Sequence, residues 1–215
     1  MDDLFGTNRA PSGKLTLGDG ATILTRFAAS EAATLIAALQ HVLAAAPFRH
    51  MITPGGYHMS VAMTNCGRAG WLTDRRGYRY DPIDPASQRP WPPMPPSFRR
   101  LATRAAAACG FAAFAPDACL INRYEPGAQL SLHQDRNERD FGAPIISVSL
   151  GLPATFLFGG LRRADRPRRL RLESGDVAVW GGAVRLAFHG VAPLADGNDP
   201  LTGRSRINLT FRKAL

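Results

Sequence analysis

The sequence predicts an α+β fold, mostly β, with an antiparallel sandwich or double-sheet barrel as its main body. Three observations carry this. Helical periodicity is confined to the first half of the 215 residues, a run of short strand patterns follows Pro116, and Gly-rich turns separate most of those strands. The length fits one domain, and 45 % apolar residues are enough for a sizeable core.

Taken in order, residues 1 to about 18 are polar and Gly-rich and read as a flexible arm, with a single domain over 19–215. Residues 21–27 read as a strand. Ser30 with Glu31 opens an amphipathic helix through Leu35, Leu39, Val42 and Leu43 that stops before Pro47. Residues 48–80 form short strand-like runs with turns at Gly55, Gly56 and Gly67. Seven prolines over residues 81–96 predict a stiff extended connection rather than a packed element. Ser97 caps a second helix that runs to Gly110. Strands are then expected at 118–124, 145–150, 155–158, 168–172, 176–180, 187–191 and 206–212.

Charge narrows the function. There are 26 basic and 17 acidic residues, a net charge of +9, and only Lys14 and Lys213 are lysines. Guanidinium pairs two-pronged with phosphate or carboxylate, so the excess fits a polyanionic partner such as nucleic acid as well as it fits an arginine-rich composition. Six arginines within residues 162–171 are the densest patch and fit phosphate contact in a hairpin loop. No apolar stretch approaches the ~20 residues that span a bilayer. The start, Met1-Asp2-Asp3-Leu4-Phe5, lacks the order of a signal peptide. Cys66, Cys109 and Cys119 have no metal-like spacing and suit a reduced, cytoplasmic setting.

The chemistry centres on Leu130-Ser131-Leu132-His133-Gln134-Asp135. On an extended segment, side chains two apart point the same way, so His133 and Asp135 converge. His41, His50, His58 and His189 are the candidates for a second imidazole. His189, among apolar neighbours late in the β-rich half, is the one placed on an interior strand. Two imidazoles and one carboxylate would hold Fe(II) with three positions open; zinc is less favoured. At the carboxy-terminal end Arg206, Asn208, Thr210 and Arg212 alternate with Ile207, Leu209 and Phe211. The polar face would line a slot ~20 Å long at strand rise, where a small dicarboxylate would satisfy both arginines. Asn122 and Tyr124 share a face of the strand before His133.

These segments together resemble the AlkB family of Fe(II)- and 2-oxoglutarate-dependent dioxygenases over residues 22–212. The motifs that carry the resemblance lie at 51–57, 60–67, 116–124, 130–135, 147–153 and Asn208-Leu209-Thr210-Phe211-Arg212. The resemblance implies a double-stranded β-helix (jelly-roll) over about 116–215, an N-terminal helical layer and a nucleotide-recognition lid over about 48–96. It implies His133, Asp135 and His189 as iron ligands and catalytic residues. Asn122, Tyr124, Arg206, Asn208 and Arg212 match the 2-oxoglutarate contacts. Thr53, Met63, Trp71, Tyr78 and Arg163 match substrate-side positions. The implied reaction is oxidative demethylation of 1-methyladenine and 3-methylcytosine in DNA or RNA, consuming O2 and 2-oxoglutarate and releasing formaldehyde. One departure stands out. Asn137 occupies a position that is acidic in the family member most similar in pattern, which puts base preference and rate in question. Competing readings are a hydroxylase of a small molecule or protein, and a non-catalytic nucleic-acid binding module. A monomer without membrane contact is expected.

Overall fold

The computed structural model describes residues 12–215. Of the arm expected over residues 1–18, residues 1–11 lie outside the described residues. The rest is ordered: β1 (Gly13–Gly18) pairs antiparallel with β2 (Ala21–Thr25). A 3-10 turn (Ala29–Glu31) leads into α1 (Ala32–Ala45). β3 (Arg49–Ile52), β4 (His58–Gly67), β5 (Gly70–Asp74), β6 (Gly77–Asp81) and the two-residue strands β7 (Ile83–Asp84) and β8 (Arg89–Pro90) follow. After α2 (Pro96–Ala108) come β9 (Ala118–Tyr124), β10 (Leu130–His133), β11 (Ile145–Gly151) and β12 (Ala154–Phe158). β13 (Arg168–Leu172), β14 (Val177–Trp180), β15 (His189–Val191) and β16 (Arg206–Arg212) complete the chain.

Eight strands form one sheet in the order β1-β2-β14-β11-β16-β9-β4-β3, and four form a second in the order β10-β15-β12-β13. The two sheets make the double-stranded β-helix. Ile23, Ile145 and Trp180 of the large sheet pack against Phe156, Phe158 and Leu172 of the small one. The helices cover the outer face of the large sheet, where Leu35, Leu39, Phe98 and Leu101 meet Ile207, Leu209 and Phe211. The ring of Phe98 meets that of Phe211 edge-on at 6.0 Å and 89°. β16 is therefore a central strand with one face against the helices and the other against the interior, and all seven of its residues are buried.

Both helix starts differ from the sequence expectation. α1 begins after Glu31 with no side-chain cap. α2 is entered from Pro95, and Ser97 lies inside its first turn with no capping bond. Proline at the first helical position needs no cap for a missing N–H and already has a helical φ. The proline-rich segment is also not a bare spacer. Trp91 and Met94 are buried, and the Trp91 indole donates to the Asp81 carbonyl at 2.9 Å. The Asp84 carboxylate accepts from the Ala86 N–H at 3.0 Å and the Ser87 hydroxyl at 3.1 Å, closing the β7–β8 turn. Buried apolar anchors and one capping carboxylate outweigh the extended preference of the prolines.

Phe98→Ala removes the largest helix side chain on this face and is expected to lower stability by about 3–5 kcal/mol in a denaturant titration.

Candidate metal centre

β10 and β15 run antiparallel, with Leu130 opposite Val191 and His133 opposite His189. Three steps on β10 match two on β15, so β10 carries a bulge, and a bulge re-aims the side chain that follows it. Close approach of the strands depends on Gly190, where a Cβ would lie 2.6 Å from the Leu130 carbonyl oxygen. The result is that the His133 and His189 rings sit 4.4 Å apart. Asp135 joins them across the next turn, which is pinned by the Gln134 amide donating to the Leu186 carbonyl at 2.7 Å.

His133 Nε2 lies 3.8 Å from Asp135 Oδ1, and His189 Nε2 lies 3.7 Å from Asp135 Oδ2. One ligand atom from each of the three residues falls within 4.8 Å of the others. Each imidazole is oriented by its own backbone. Nδ1 of His133 is 2.8 Å from the Ser131 carbonyl and Nδ1 of His189 is 3.0 Å from the Ala187 carbonyl. A carbonyl can only accept, so both Nδ1 atoms carry the proton and both Nε2 lone pairs face the common point. Burial, helped by His133 and opposed by Asp135, lowers the His189 pKa to about 4, which keeps that ring neutral and ready to ligate. Asp135 is buried too. Burial alone would raise its pKa, but Arg212, His189 and His133 together hold it well below the usual carboxylate range. Neutral imidazoles beside an ionised carboxylate are the protonation states a divalent cation needs.

The interior face of β16 lies next to this cluster. Asn208 is fully engaged: its amide donates to the Ser147 hydroxyl at 2.8 Å and the Val148 carbonyl at 3.0 Å. Its oxygen accepts from the Asn122 amide at 3.1 Å and the Thr210 hydroxyl at 2.8 Å. Arg206 is different. It is 1 % exposed, and its one hydrogen bond runs from Nη2 to the Ser149 hydroxyl at 3.0 Å. Among the described residues Nε and Nη1 have no partner, and neither has Asn122 Oδ1. The guanidinium lies 5.0 Å from the Tyr124 ring centroid, and burial, opposed by Arg206, pushes the Tyr124 phenol up to about 12. A buried cation with two idle donors and no carboxylate partner among the described residues is an anion cradle. A carboxylate of a small diacid fits that need.

Arg212 is not in the same condition. Nε and Nη2 both donate to Asp135 Oδ2, at 2.9 and 2.6 Å, and Nη1 donates to the Tyr80 hydroxyl at 3.3 Å. The expectation that one small dicarboxylate meets both arginines remains an expectation; in the metal-free protein Arg212 is bonded to Asp135. Sequence reasoning also missed Tyr80, Glu138 and Arg185, which surround this pair. Glu138 lies three residues beyond Asp135, a spacing that offered a weak signal; Arg185 had none.

On the substrate side, Trp71 and Tyr78 stack across the β5–β6 hairpin at 5.7 Å and 22°. The Trp71 indole donates to Asn137 Oδ1 at 3.1 Å. Arg163 is exposed, with its guanidinium 5.1 Å from the ring of Phe188, the neighbour of His189. Thr53 closes the turn between β3 and β4, where its hydroxyl accepts from the Tyr57 N–H at 3.1 Å. Met63 is 1 % exposed in the core with Met51, Leu120 and Tyr124, a cluster against which Trp71 also packs. His41, His50 and His58 are exposed and away from the cluster.

Comparison with known proteins places this arrangement. Residues 20–212 match the family model described as the 2OG-Fe(II) oxygenase superfamily. The chain is 61 % identical over 214 residues to the Alpha-ketoglutarate-dependent dioxygenase AlkB of Escherichia coli (strain K12), covering 100 % of this chain and 98 % of the relative. It is 49 % identical over 170 residues to an AlkB homolog of Caulobacter vibrioides (strain NA1000 / CB15N), covering 79 % of this chain and 76 % of the relative. It is 36 % identical over 121 residues to the Nucleic acid dioxygenase ALKBH1 of Homo sapiens, covering 56 % and 31 %. A solved structure of OsALKBH1 superposes with a TM-score of 0.83 at 29 % identity, covering 94 % of this chain and all of that one.

The low pKa of His189 has a consequence for the metal-free protein. Between pH 4 and 6.5 the unfolded chain carries a proton that the folded site refuses. Stability therefore rises with pH across this window and is lost as pH falls through it. With chelator present, lowering the pH from 6.5 to 4.5 is expected to cost the native protein roughly 1–3 kcal/mol more than His189→Gln, read from urea midpoints.

Proposed function

The chain belongs to the AlkB family of the 2OG-Fe(II) oxygenase superfamily, and from that premise we propose that His133, Asp135 and His189 hold its iron and that Arg206 holds its 2-oxoglutarate. The protein is an Fe(II)- and 2-oxoglutarate-dependent dioxygenase that oxidatively demethylates alkylated nucleobases. The observation that carries the residue assignment is the three-ligand cluster beside a buried, unpaired guanidinium. When bound, iron and 2-oxoglutarate supply the oxidation of an N-methyl group by O2, with formaldehyde, succinate and carbon dioxide as products.

The chain's own residues bind, orient and exclude water. Nδ1–H bonds to the Ser131 and Ala187 carbonyls fix both imidazole planes. Arg206 pairs with the far carboxylate of 2-oxoglutarate, steadied by Ser149 and lying over the Tyr124 ring. Asn122 and Asn208 set the wall between that carboxylate and the metal ligands. 1-Methyladenine and 3-methylcytosine are cationic and cannot pair, so extruding them costs less than extruding a sound base. Trp71 and Tyr78 offer the stacking surface, worth ~1–3 kcal/mol per base, and the positive charge adds a cation–π attraction. Asn137, held by the Trp71 indole, sits where the base edge is read. Arg163 and the arginines of residues 162–171 meet the phosphates.

In this reading residues 48–96 form the nucleotide-recognition lid and residues 116–215 the catalytic body. Alkylated DNA, or RNA, is the partner. A monomer in the cytoplasm is part of this reading, and the three free cysteines support the cytoplasm. No helix among the described residues is long and apolar enough to cross a membrane.

Formaldehyde and succinate release from 1-methyladenine or 3-methylcytosine oligonucleotides is expected to require iron and 2-oxoglutarate, and His133→Ala is expected to abolish it. Full turnover in that variant overturns the ligand assignment. Arg206→Gln is expected to raise the KM for 2-oxoglutarate roughly 30-fold or more, since losing one partner of a buried charge pair costs about 2–5 kcal/mol. An unchanged KM moves the diacid elsewhere.

A further inference from the structure

The β5–β6 hairpin carries more than the stacked aromatics. Trp71 is opposite Tyr80 and Thr73 is opposite Tyr78, so the four side chains share one face. Tyr78 is exposed, whereas the Tyr80 hydroxyl is turned into the protein. There it donates to Glu138 Oε1 at 2.7 Å and accepts from Arg212 Nη1 at 3.3 Å. Arg212 Nε lies 3.4 Å from the same Glu138 oxygen. Arg185 closes the far side: Nη1 donates to the Asp135 main-chain carbonyl at 2.8 Å, Nη2 to Glu138 Oε2 at 3.2 Å and Nε to the Ala143 carbonyl at 3.0 Å. The side chains of Asp135, Glu138, Arg185 and Arg212 are each less than a tenth exposed. Two carboxylates and two guanidiniums balance, so no member moves without leaving a buried charge behind.

We infer that Tyr80 is a positioning residue for the metal carboxylate, acting from the hairpin through Arg212 and Glu138 on Asp135. This rests on the metal-site reading above. Arg212 places both of its short bonds on Asp135 Oδ2. That leaves Oδ1, the oxygen nearer His133, without a donor among the described residues. Which oxygen is left open depends on the angle of the guanidinium. That angle is set from behind by the Tyr80 hydroxyl, which accepts from Nη1, and by the Glu138 carboxylate, which attracts Nε of the same planar fork electrostatically. Without the Tyr80 hydroxyl, Nη1 loses its acceptor and the fork can turn, carrying the carboxylate with it. A metal ligand is oriented by its hydrogen-bond partners in this way, and removing such a partner commonly weakens metal affinity about 10–100-fold.

The test is equilibrium binding of Mn(II) to the metal-free protein, followed by electron paramagnetic resonance without oligonucleotide or turnover. Tyr80→Phe removes one oxygen and is expected to weaken Mn(II) about 10-fold. Glu138→Gln is expected to weaken it in the same direction, and it decides the question if Tyr80→Phe does not fold. Arg79→Ala is the control. It breaks the Arg79–Asp74 ion pair that links the two strands of the same hairpin near its turn but touches none of the Asp135 network, and Mn(II) affinity is expected to stay within twofold. Native affinity in Tyr80→Phe or, where that variant does not fold, in Glu138→Gln overturns the positioning role. Equal weakening in Arg79→Ala overturns it as well, since hairpin loosening alone would then suffice. If the native protein itself binds no Mn(II), the metal-site reading fails first and the inference falls with it.

Discussion

A carboxylate stays ionised inside a protein only beside a counter-charge, and at Asp135 that charge is Arg212. Much of the architecture follows from this pair. Arg212 is the last residue of β16, so β16 must run through the interior with its polar face toward β10 and β15. Its other face must then be covered, and α1 and α2 do this with Leu35, Leu39, Phe98 and Leu101. Removing one partner of such a buried pair costs about 3–5 kcal/mol. The metal centre and the fold therefore share one interaction, and neither is independent of the other.

The polar groups facing the interior divide into two kinds. Asn208, Thr210 and Ser147 complete one another's hydrogen bonds and ask for nothing further. Arg206 and Asn122 retain idle polar atoms in the same wall. A buried group left unsatisfied is costly in the fold alone, so the open atoms fit the proposed binding of a small anion, whereas the closed ones are satisfied without it. The aromatic pair Trp71 and Tyr78 belongs to the open kind, since it keeps an exposed stacking surface while its backbone and Asn137 hold it in place.

Legibility followed burial except at β13, where only Leu172 is buried. β9, β13 and β16 match their expected limits to the residue. In β16 strict alternation separates an apolar face from a polar one, and β9 opens with an apolar run over residues 118–121 after Pro116 and Asp117. β1 was missed because five of its six residues are exposed and no face carries a pattern. β10 gave no clear limits because its bulge breaks the period of two. The prolines of residues 81–96 hid a packed hairpin, since composition registers prolines but not the depth at which Trp91 is buried. His133 and Asp135 were legible as a pair from their spacing. His189 could be preferred over three other histidines only by its apolar neighbours.

By itself the sequence determined the fold class, the family and the ligand types, because these depend on residue identity and on separations along the chain. Tertiary structure alone decided which charges meet. Arg206 and Arg212 look alike on one strand face. Yet Arg212 meets Asp135, 77 residues away in sequence, while Arg206 meets no carboxylate among the described residues. Tyr80 and Arg185 reach the same cluster from a hairpin and a turn with no shared pattern. Pairing among buried charges depends on distances of a few ångströms across separate strands, and no periodicity along the chain encodes such distances.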